Sequence, residues 1–370
     1  MYKVLVITEE GRGGGALGRI RLIAEELKNK IETVVVAPSS ASVYIKSLED
    51  KGIRVIPIAM NPLNTIPKWF FRYVVNFVPE IWGIIGIIKR EKPHAVHCNG
   101  SWQIKGIMAA KWTGTKCIWH MNDTYQPRAV LFFFKMLSGL PSTYFYASHA
   151  TKAYYANVSQ KLLKKASRVI QAPVKRKELI VVRDHQLENK PIRLVLVGYI
   201  NHHKGLDILM NALNKIDQRQ VVCDVVGPVL STRAKYKEGL DELSARTGIE
   251  LNYLGYQDIN STLFRGYDFY ICSSRREASP MAVWEAMTHG LPIISTPVGD
   301  IADIVGKNQC GLVAKYISSE ALSAVISEAS KVDQETYNLW SANCIKTAAL
   351  FDHQNIAEQY LQAYTEIISA

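Results

Sequence analysis

The feature that most constrains the fold is a pattern of strand, loop and helix that occurs twice in the 370-residue chain. A β-branched run, YKVLVIT (2–8), leads into a glycine loop, EEGRGGGALGR (9–19), and then into the helical segment RIRLIAEELKN (19–29). The same order returns with IRLVLVGYI (192–200) and GLDILMNALNKI (205–216). Alternating strands and helices are typical of parallel sheets covered on both faces. The sequence therefore predicts an α/β fold with two doubly wound domains.

The length agrees with two domains, because 370 residues exceed the usual size of a single core. We place the N-terminal domain at residues 1–175 and the C-terminal domain at 190–354, joined around the polar segment 174–191. The amphipathic segment 355–370 is expected to form a helix that packs back on the N-terminal domain.

Composition excludes several classes of protein. Six scattered cysteines without a C-x-x-C pair argue against a zinc site or a disulfide framework and favour a reducing compartment. The start, MYKVLVITEE, does not resemble a signal peptide, and the longest apolar run, IWGIIGII (81–88), is far short of a membrane span. We expect a cytoplasmic protein.

Charge is distributed unevenly along the chain. Residues 1–190 contain 29 Lys and Arg against 13 Asp and Glu, a formal charge of +16, whereas residues 191–370 carry −5. This asymmetry indicates an anionic partner for the first half, either a membrane surface or a nucleic acid. No recognised nucleic-acid-binding motif accompanies the charge, so we expect no nucleic-acid partner.

The segment RREASPMAVWEAMTHGLP (275–292) places Glu277 and Glu285 eight positions apart. It lies between the apolar runs YDFYICSS and PIIST, so a strand, a loop, a helix and a second strand are predicted in turn. Pro280 suits the first position of that helix. Two carboxylates at the carboxyl edge of a parallel sheet can accept hydrogen bonds from a polyhydroxylated ligand. Each acid also fits an ordinary role, complementing the helix dipole or facing solvent.

Three further features are candidates for phosphate binding or catalysis. The glycine loop offers backbone N–H groups to a phosphate, but it lacks a clean G-x-G-x-x-G, and close packing is the alternative. Lys204, in VGYINHHKG (197–205), stands at a helix start where the dipole disfavours cations, which favours a function in phosphate binding. His120, in IWHMND (118–123), ends a strand, and a structural role suits it as well as a catalytic one.

Taken together, these segments resemble the family 4 retaining glycosyltransferases of GT-B fold, along almost the whole chain. That family's characteristic motif is two glutamates separated by seven residues, which Glu277 and Glu285 match, and EAMTHGLPIISTPVGDIADIV continues as expected. GYINHHKG resembles the family's G-R-x4-K-G stretch with Lys204 in register. The resemblance implies two Rossmann-like domains facing each other across a cleft, the C-terminal one holding a nucleotide sugar.

The resemblance also implies roles for individual residues. Catalytic roles fall to Glu277, His120 and Lys204, with Glu277 contacting the transferred sugar. Glu285 accepts the ribose hydroxyls of the nucleotide, while Lys204 and the amides of the glycine loop neutralise the leaving diphosphate. The donor-binding residues implied are Gly14, Gly15, Gly198, Lys204, Ser279, Met281, Ala282, Glu285 and Tyr256. The chain has no D-x-D motif, so we expect neither a metal ion nor a cofactor.

The chain departs from the family pattern at several positions. Tyr199 stands where an arginine is usual, IQAPV (170–174) replaces an Asn-Gly pair, and ASP (278–280) replaces the common GFP. These departures leave the donor open, either a UDP-sugar or a GDP-sugar. Two other classes also remain open from the sequence: a nicotinamide-dependent oxidoreductase using the glycine loop, and a non-catalytic nucleotide-sugar sensor.

The acceptor is expected to be a lipid-linked glycan or glycolipid in cell-surface polysaccharide synthesis, with a soluble acceptor as the alternative. Segments 61–92 and 130–146 combine aromatic and aliphatic residues with basic ones, a composition typical of the membrane headgroup boundary. Core packing is the alternative for about half of these aromatics. We therefore expect the protein to lie peripherally on the inner face of the membrane, through its first domain.

Overall fold

The computed structural model describes residues 1–9, 11, 14–63, 67–175, 191–217, 221–229, 234–257 and 261–370. The chain divides into two compact units. Unit 1 consists of Met1–Pro173 and His353–Ala370, and unit 2 of Val174–Asp352. Most of the predicted connecting segment, residues 176–190, lies outside the described residues.

Unit 1 is built on a seven-stranded sheet with the order β3-β2-β1-β4-β5-β6-β7, in which every neighbouring pair is parallel. Its strands are β1 (Tyr2–Ile7), β2 (Ile31–Pro38), β3 (Arg54–Ile58), β4 (Ala95–Asn99), β5 (Lys116–Met121), β6 (Thr143–Tyr146) and β7 (Ser167–Val169). The strand order reverses between β1 and β4. The carboxyl ends of these two strands therefore form a topological switch point, the usual ligand position in such sheets.

The helices of unit 1 cover both faces of this sheet. They are α1 (Gly15–Leu27), α2 (Ser42–Glu49), α3 (Pro67–Glu91), α4 (Ile104–Trp112), α5 (Arg128–Leu137), α6 (His149–Val158) and the last helix, α14 (His353–Ser369). One apolar cluster joins α1 and α14 to the sheet, including Ile20, Ile356 and Tyr360. A second cluster joins α3 to the other face through Ile84 and Ile88. Apolar burial on both faces is the main source of stability for such a unit.

Helix α3 exposes an apolar face. Its inward residues at Ile81, Ile84, Ile85 and Ile88 are buried, whereas the opposite side leaves large apolar side chains in solvent. Residues Lys68–Glu91 are long and apolar enough to cross a bilayer, but 39% of their most apolar stretch is buried in the protein. One such helix is weak evidence for a membrane span, because the core helix of a soluble protein meets the same criteria.

Each of the two aromatic segments predicted to lie at a membrane contains both exposed and buried residues. In segment 61–92, Tyr73 is buried, whereas Trp69, Phe70, Phe71 and Trp82 are exposed. In segment 130–146, the prediction of a surface patch is wrong for its second half, because TYFY forms β6, and all four of its residues are buried in the sheet. A strand buried on both faces is apolar throughout, so its composition resembles that of an interfacial segment.

Unit 2 is built on a six-stranded parallel sheet with the order β10-β9-β8-β11-β12-β13. Its strands are β8 (Ile192–Val197), β9 (Val221–Val226), β10 (Asn252–Gly255), β11 (Phe269–Cys272), β12 (Ile293–Ser295) and β13 (Gly311–Val313). Its helices are α7 (Leu206–Leu213), α8 (Ala234–Thr247), α9 (Ser261–Arg265), α10 (Met281–Thr288), α11 (Ile301–Lys307), α12 (Ser319–Ala329) and α13 (Gln334–Ala348). The strand order reverses between β8 and β11, which places a second switch point there.

Candidate active site

The switch point of unit 2 brings Lys204 and Glu277 together. Lys204 follows β8, at the end of a 3-10 turn, and Glu277 follows β11. Their side chains form an ion pair, with 2.8 Å between Lys204 Nζ and Glu277 Oε1. Burial alone disfavours the ammonium, but the Glu277 carboxylate outweighs it and raises the pKa of Lys204 above its ordinary value. The lysine is therefore fully charged at neutral pH.

Short polar contacts fix the geometry of this pair. Ser274 donates its hydroxyl to the same Glu277 oxygen at 2.8 Å. The Asn201 side chain caps the turn before Lys204, accepting from the backbone N–H of His203 at 2.9 Å and of Lys204 at 3.2 Å. The carboxylate and the ammonium are thus held in one arrangement before any ligand binds.

A second ion pair links Arg275, in the loop after β11, to Asp207, in the first turn of α7. Arg275 donates to both carboxylate oxygens of Asp207, at 2.7 and 2.5 Å, and to the carbonyl of His202 at 3.0 Å. Burial opposes ionisation of Asp207, but hydrogen bonds from Arg275 and Tyr236 lower the pKa of this carboxyl. Arg275 therefore positions the turn that carries Lys204.

Two glycines permit the close approach of these loops. At Gly198, where φ is +150°, a Cβ atom would lie 2.6 Å from Cε of Lys204. At Gly205, where φ is +63°, a Cβ atom would lie 2.1 Å from the carbonyl oxygen of Ser273. At Gly205 both the backbone conformation and the contact with the main chain require glycine, whereas at Gly198 the positive φ favours glycine and an added Cβ would displace the end of the Lys204 side chain.

Glu285 lies in the second turn of α10 and has no ionic or hydrogen-bond partner for its carboxylate among the described residues. Burial raises the pKa of this carboxyl to about 7. Pro280 is the N-cap of α10, one position before the start that the sequence predicted. The N–H groups of Met281 and Ala282 therefore begin the helix without intrahelical acceptors. A free carboxylate and free amides suit a ligand rich in hydroxyl groups.

The other predicted donor residues of unit 2 lie in different surroundings. Ser279 accepts a hydrogen bond from Trp284 Nε1 at 3.1 Å, which supports the start of α10. Tyr256 follows β10 and is 75% exposed. Tyr199, which replaces the arginine usual in the family, is partly buried and has other contacts.

In unit 1, Gly14 and Gly15 begin α1 and are exposed, whereas residues 10, 12 and 13 of the glycine loop lie outside the described residues. His120 is fully buried in β5, and its Nε2 lies 2.7 Å from Nη1 of Arg19. His120 therefore faces a buried cation, and the catalytic role assigned to it stays a prediction.

Sequence reasoning missed Ser274, Asn201, Arg275 and Arg19. Asn201 carried a usable signal, because asparagine is a strong N-cap residue immediately before a turn. Arg19 and His120 are separated by 101 positions, so their contact depends on the strand order and no local pattern reports it. The described residues contain no group of three His, Cys, Asp or Glu that would hold a metal ion.

Two Rossmann-like units, one with an oriented Lys–Glu pair and a free carboxylate at its switch point, define an α/β protein suited to nucleotides and sugars. Residues 180–347 match the family model described as glycosyl transferases group 1. The full chain also superposes on Anabaena HepE in complex with UDP-glucose, with a TM-score of 0.81 at 18% identity, covering 99% of this chain and 100% of that one. At that identity the superposition shows the fold alone.

Two curated relatives agree with the family match. The sulfoquinovosyl transferase SQD2 of Arabidopsis thaliana is 30% identical over 124 residues, which is 33% of this chain and 22% of that protein. The N,N'-diacetylbacillosaminyl-diphospho-undecaprenol alpha-1,3-N-acetylgalactosaminyltransferase of Campylobacter jejuni is 22% identical over 96% of this chain and 97% of its own length. Over residues 180–347 the chain is thus similar to glycosyl transferases group 1, in agreement with the family resemblance predicted from the sequence, and its two-unit α/β fold is of the GT-B type.

Proposed function

We propose that the protein is a retaining glycosyltransferase that moves a hexose from a UDP- or GDP-sugar to a lipid-linked glycan or glycolipid. The observation that carries the proposal is the arrangement in unit 2, where Lys204 and Ser274 orient Glu277, while the buried carboxylate of Glu285 has no partner among the described residues. An oriented carboxylate and a free one are two acceptors for the many hydroxyl groups of a nucleotide sugar. HepE, with the same fold, is described in complex with UDP and with UDP-glucose.

The roles follow from the chemistry of the groups. Glu285 accepts the ribose hydroxyls, and Glu277 contacts the transferred hexose. Lys204 carries the positive charge that stabilises a leaving diphosphate. In unit 1, the backbone N–H groups at the exposed start of α1, at Gly14 and Gly15, are further hydrogen-bond donors for a phosphate. No metal ion is needed in this scheme.

Retention is proposed to proceed by front-face attack, with a phosphate oxygen taking the proton of the acceptor hydroxyl. Glu277 is a poor candidate for a covalent nucleophile, because one of its oxygens is already held by the ammonium of Lys204 and the hydroxyl of Ser274. Its proposed role is therefore to position the sugar.

The first experiment replaces Glu277 and Glu285 separately with glutamine and measures donor affinity and turnover for a panel of UDP- and GDP-sugars. Losing a hydrogen bond to a charged group costs about 1.5–3 kcal/mol, or roughly ten- to a hundredfold. We expect Glu285→Gln to weaken donor binding and Glu277→Gln to lower turnover more than affinity. Full activity in both variants would show that the site is wrongly assigned.

The lipid-linked acceptor is proposed from the exposed apolar face of α3. Helix α3 exposes Trp69, Phe70, Phe71, Val74, Val75, Val78 and Trp82, and α5 exposes Phe132, Phe133 and Met136; we call these residues together the apolar face. All are exposed, by 45–70%. Many large apolar side chains left in solvent are typical of a binding surface.

The occupant we propose is an anionic membrane surface. Exposed basic residues flank the apolar face on α3, at Lys68, Arg72, Lys89 and Arg90. The formal charge of +16 on residues 1–190 also favours attraction to an anionic membrane. Each basic residue near an anionic leaflet contributes about 1 kcal/mol. The name of the Campylobacter jejuni relative includes a diphospho-undecaprenol acceptor, which supports a lipid-linked acceptor for this protein. On this proposal the protein is cytoplasmic and peripheral.

Co-sedimentation with vesicles tests the membrane proposal. We expect the protein to pellet with vesicles that contain anionic lipid, less so at high salt, and the double variant Val75→Asp/Val78→Asp to pellet at least tenfold less. The matched control is Val43→Asp, an 84% exposed valine on α2 of the same unit. Negligible pelleting of the wild type under all conditions would instead favour a soluble acceptor.

A further inference from the structure

His97 of β4 and His120 of β5 are neighbouring histidines in the sheet of unit 1. Both are fully buried. Their rings stack with centroids 5.2 Å apart, and Nε2 of His97 lies 3.1 Å from Nδ1 of His120. A buried ring nitrogen needs a partner of the opposite kind, a donor for an acceptor. The position of the proton on one ring therefore determines its position on the other.

Arg19 determines which nitrogen of each ring carries the proton. Its Nη1 lies 2.7 Å from Nε2 of His120 and can only donate, so the proton of that ring lies on Nδ1. Nδ1 then donates to Nε2 of His97, and the Tyr360 hydroxyl, 3.4 Å away, is a second acceptor. His97 in turn carries its proton on Nδ1 and donates it to the Tyr364 hydroxyl at 2.6 Å. Only this order matches every donor with an acceptor.

Both rings are neutral, so the order of these hydrogen bonds holds at neutral pH. Burial lowers the pKa of His97 to about 3 and that of His120 well below its ordinary value, and the charge of Arg19 adds to both effects. The other neutral tautomer of either ring would place two donors face to face in a buried site, which is costly. The surrounding groups therefore hold each ring in its Nδ1–H form.

The same Nη1 of Arg19 holds the carboxyl edge of the sheet. It donates to Oδ1 of Asn122, just after β5, at 2.6 Å. Asn122 Nδ2 donates to Oδ1 of Asn99, the last residue of β4, at 2.9 Å. Asn99 Nδ2 donates to the carbonyl of Ala16 in α1 at 3.2 Å. One row of side-chain hydrogen bonds thus runs from α14 through β4 and β5 to the strand ends at the switch point.

We propose that His97 is a positioning residue for glycosyl transfer. Anchored by Tyr364, it fixes the tautomer of His120, whose Nε2 then holds the guanidinium of Arg19. That guanidinium fixes Asn122 at the carboxyl edge of unit 1, where such sheets bind ligands. His120 is then a positioning residue too, since both of its nitrogens are engaged by protein groups. The inference rests on the proposed function, in which unit 1 binds the acceptor.

The first measurement is nitrogen-15 NMR of the histidine rings in the full-length protein at neutral pH. We expect His97 and His120 to be neutral Nδ1–H tautomers, each assigned by the variant that lacks it. His97→Leu removes the nearest acceptor of the His120 proton, so a population of Nε2–H His120 should appear. His97→Gln keeps an acceptor oxygen and should preserve the Nδ1–H form of His120.

The second measurement compares turnover with nucleotide affinity. His97→Leu should lower turnover by roughly tenfold or more, the effect of a lost buried hydrogen bond. Affinity for UDP or GDP should change less than threefold, because Glu285 and Lys204 lie in unit 2. His97→Gln should recover most of the turnover. A merely structural residue would not separate turnover from affinity in this way.

A pair of tyrosine variants provides the mildest test and its control. Tyr364→Phe removes only the hydroxyl that anchors His97 and should lower turnover by about three- to tenfold. Tyr44→Phe, in α2 of the same unit, removes a buried hydroxyl that has no hydrogen-bond partner among the described residues and should leave turnover unchanged. These two variants decide the question if His97→Leu does not fold.

Three results would overturn the inference: an Nε2–H tautomer of His120 in the wild type, wild-type turnover in Tyr364→Phe, or equal impairment of His97→Gln and His97→Leu. The last would mean that position 97 serves packing alone. Failure of the proposed function has a different signature. In that case the wild type transfers no sugar from any donor although both rings show the expected tautomers, whereas transfer that does not depend on His97 or Tyr364 would overturn only the inference.

Discussion

Lys204 reaches Glu277 through space that a side chain at residue 198 would occupy. The lysine chain passes where a Cβ atom of residue 198 would lie, and the positive φ of Gly198 further restricts the position to glycine. The ion pair also explains how a cation tolerates the start of a helix, since the neighbouring carboxylate outweighs the dipole. At the scale of single residues, the site therefore depends on the glycine at position 198 as well as on the charged pair Lys204 and Glu277.

Gly198→Ala should lower turnover at least tenfold, because the methyl group displaces Lys204 from Glu277. The measurement is steady-state turnover with the best nucleotide sugar. The control is Gly239→Ala, in α8, where a Cβ atom would meet nothing within 4 Å. Alanine in that helix should leave turnover unchanged and stabilise the fold by about 0.5–1 kcal/mol. Wild-type turnover in Gly198→Ala would contradict the assigned role of Lys204.

Nucleotide binding should depend on pH through Glu285. Its pKa of about 7 means that the carboxylate, the form that accepts the ribose hydroxyls, is lost as the pH falls below 7. Affinity for a nucleoside diphosphate should then fall by up to tenfold per pH unit below 7 and level off above it. The pH dependence assigned to this carboxyl should vanish in Glu285→Gln and for a 2′,3′-dideoxy analogue. An equal pH dependence in all three titrations would exclude ribose contact by Glu285.

At the scale of elements, α3 combines an exposed apolar side with a side that contributes to a buried charged cluster. Its outward side is apolar, while its inward side contributes Glu80 to a buried charged cluster with Lys105 of α4 and Glu9, which follows β1. The Lys105 ammonium also lies 4.0 Å from the ring of Tyr73. The carboxylates of Glu9 and Glu80 both form ion pairs with the Lys105 ammonium. Burial raises the pKa of Glu9 to about 7 against the attraction of Lys105, so Glu9 is the member that keeps a proton.

This cluster predicts a pH-dependent stability. Between its ordinary pKa of 4.5 and its folded pKa of about 7, Glu9 holds a proton in the folded state but not in the unfolded one. Its contribution to stability is therefore fully present below pH 4.5 and is lost as the pH rises through 7, by about 3 kcal/mol in all. Urea unfolding of the wild type and Glu9→Gln across this range measures it. The difference between the two proteins should change by that amount, whereas exposed Glu49→Gln should run parallel to the wild type.

The sequence predicted most of the elements that carry the site, and the reasons it failed elsewhere are physical. YDFYICSS and PIIST correspond to β11 and β12, because buried parallel strands are short apolar runs between turn residues. The same reasoning could not separate β6 from the exposed side of α5, since both are rich in aromatic residues. The contact of Arg19 with His120 and Asn122 depends on which strands are neighbours, and a single sequence does not report that.

At the scale of the whole molecule, the two halves of the chain carry opposite net charges, and we propose different tasks for them. The first half of the chain carries +16 and the apolar face, which suit an acceptor at an anionic membrane, and the second half carries −5 and the glutamates proposed to bind the donor. Repeating one fold twice lets each unit present a switch point, one at β1 and β4 and one at β8 and β11. We propose that donor binding and acceptor binding are divided between the two similar units.

The most direct test of that claim is the product of the reaction itself. The protein is incubated with UDP- and GDP-hexoses and with lipid-linked acceptors in anionic vesicles, and the products are identified by mass spectrometry and NMR of the anomeric centre. We expect one hexose to be added to the lipid-linked acceptor with its anomeric configuration retained, and we expect Glu277→Gln to reduce this product greatly. An inverted product, or no transfer from any donor to any lipid-linked acceptor, would contradict it.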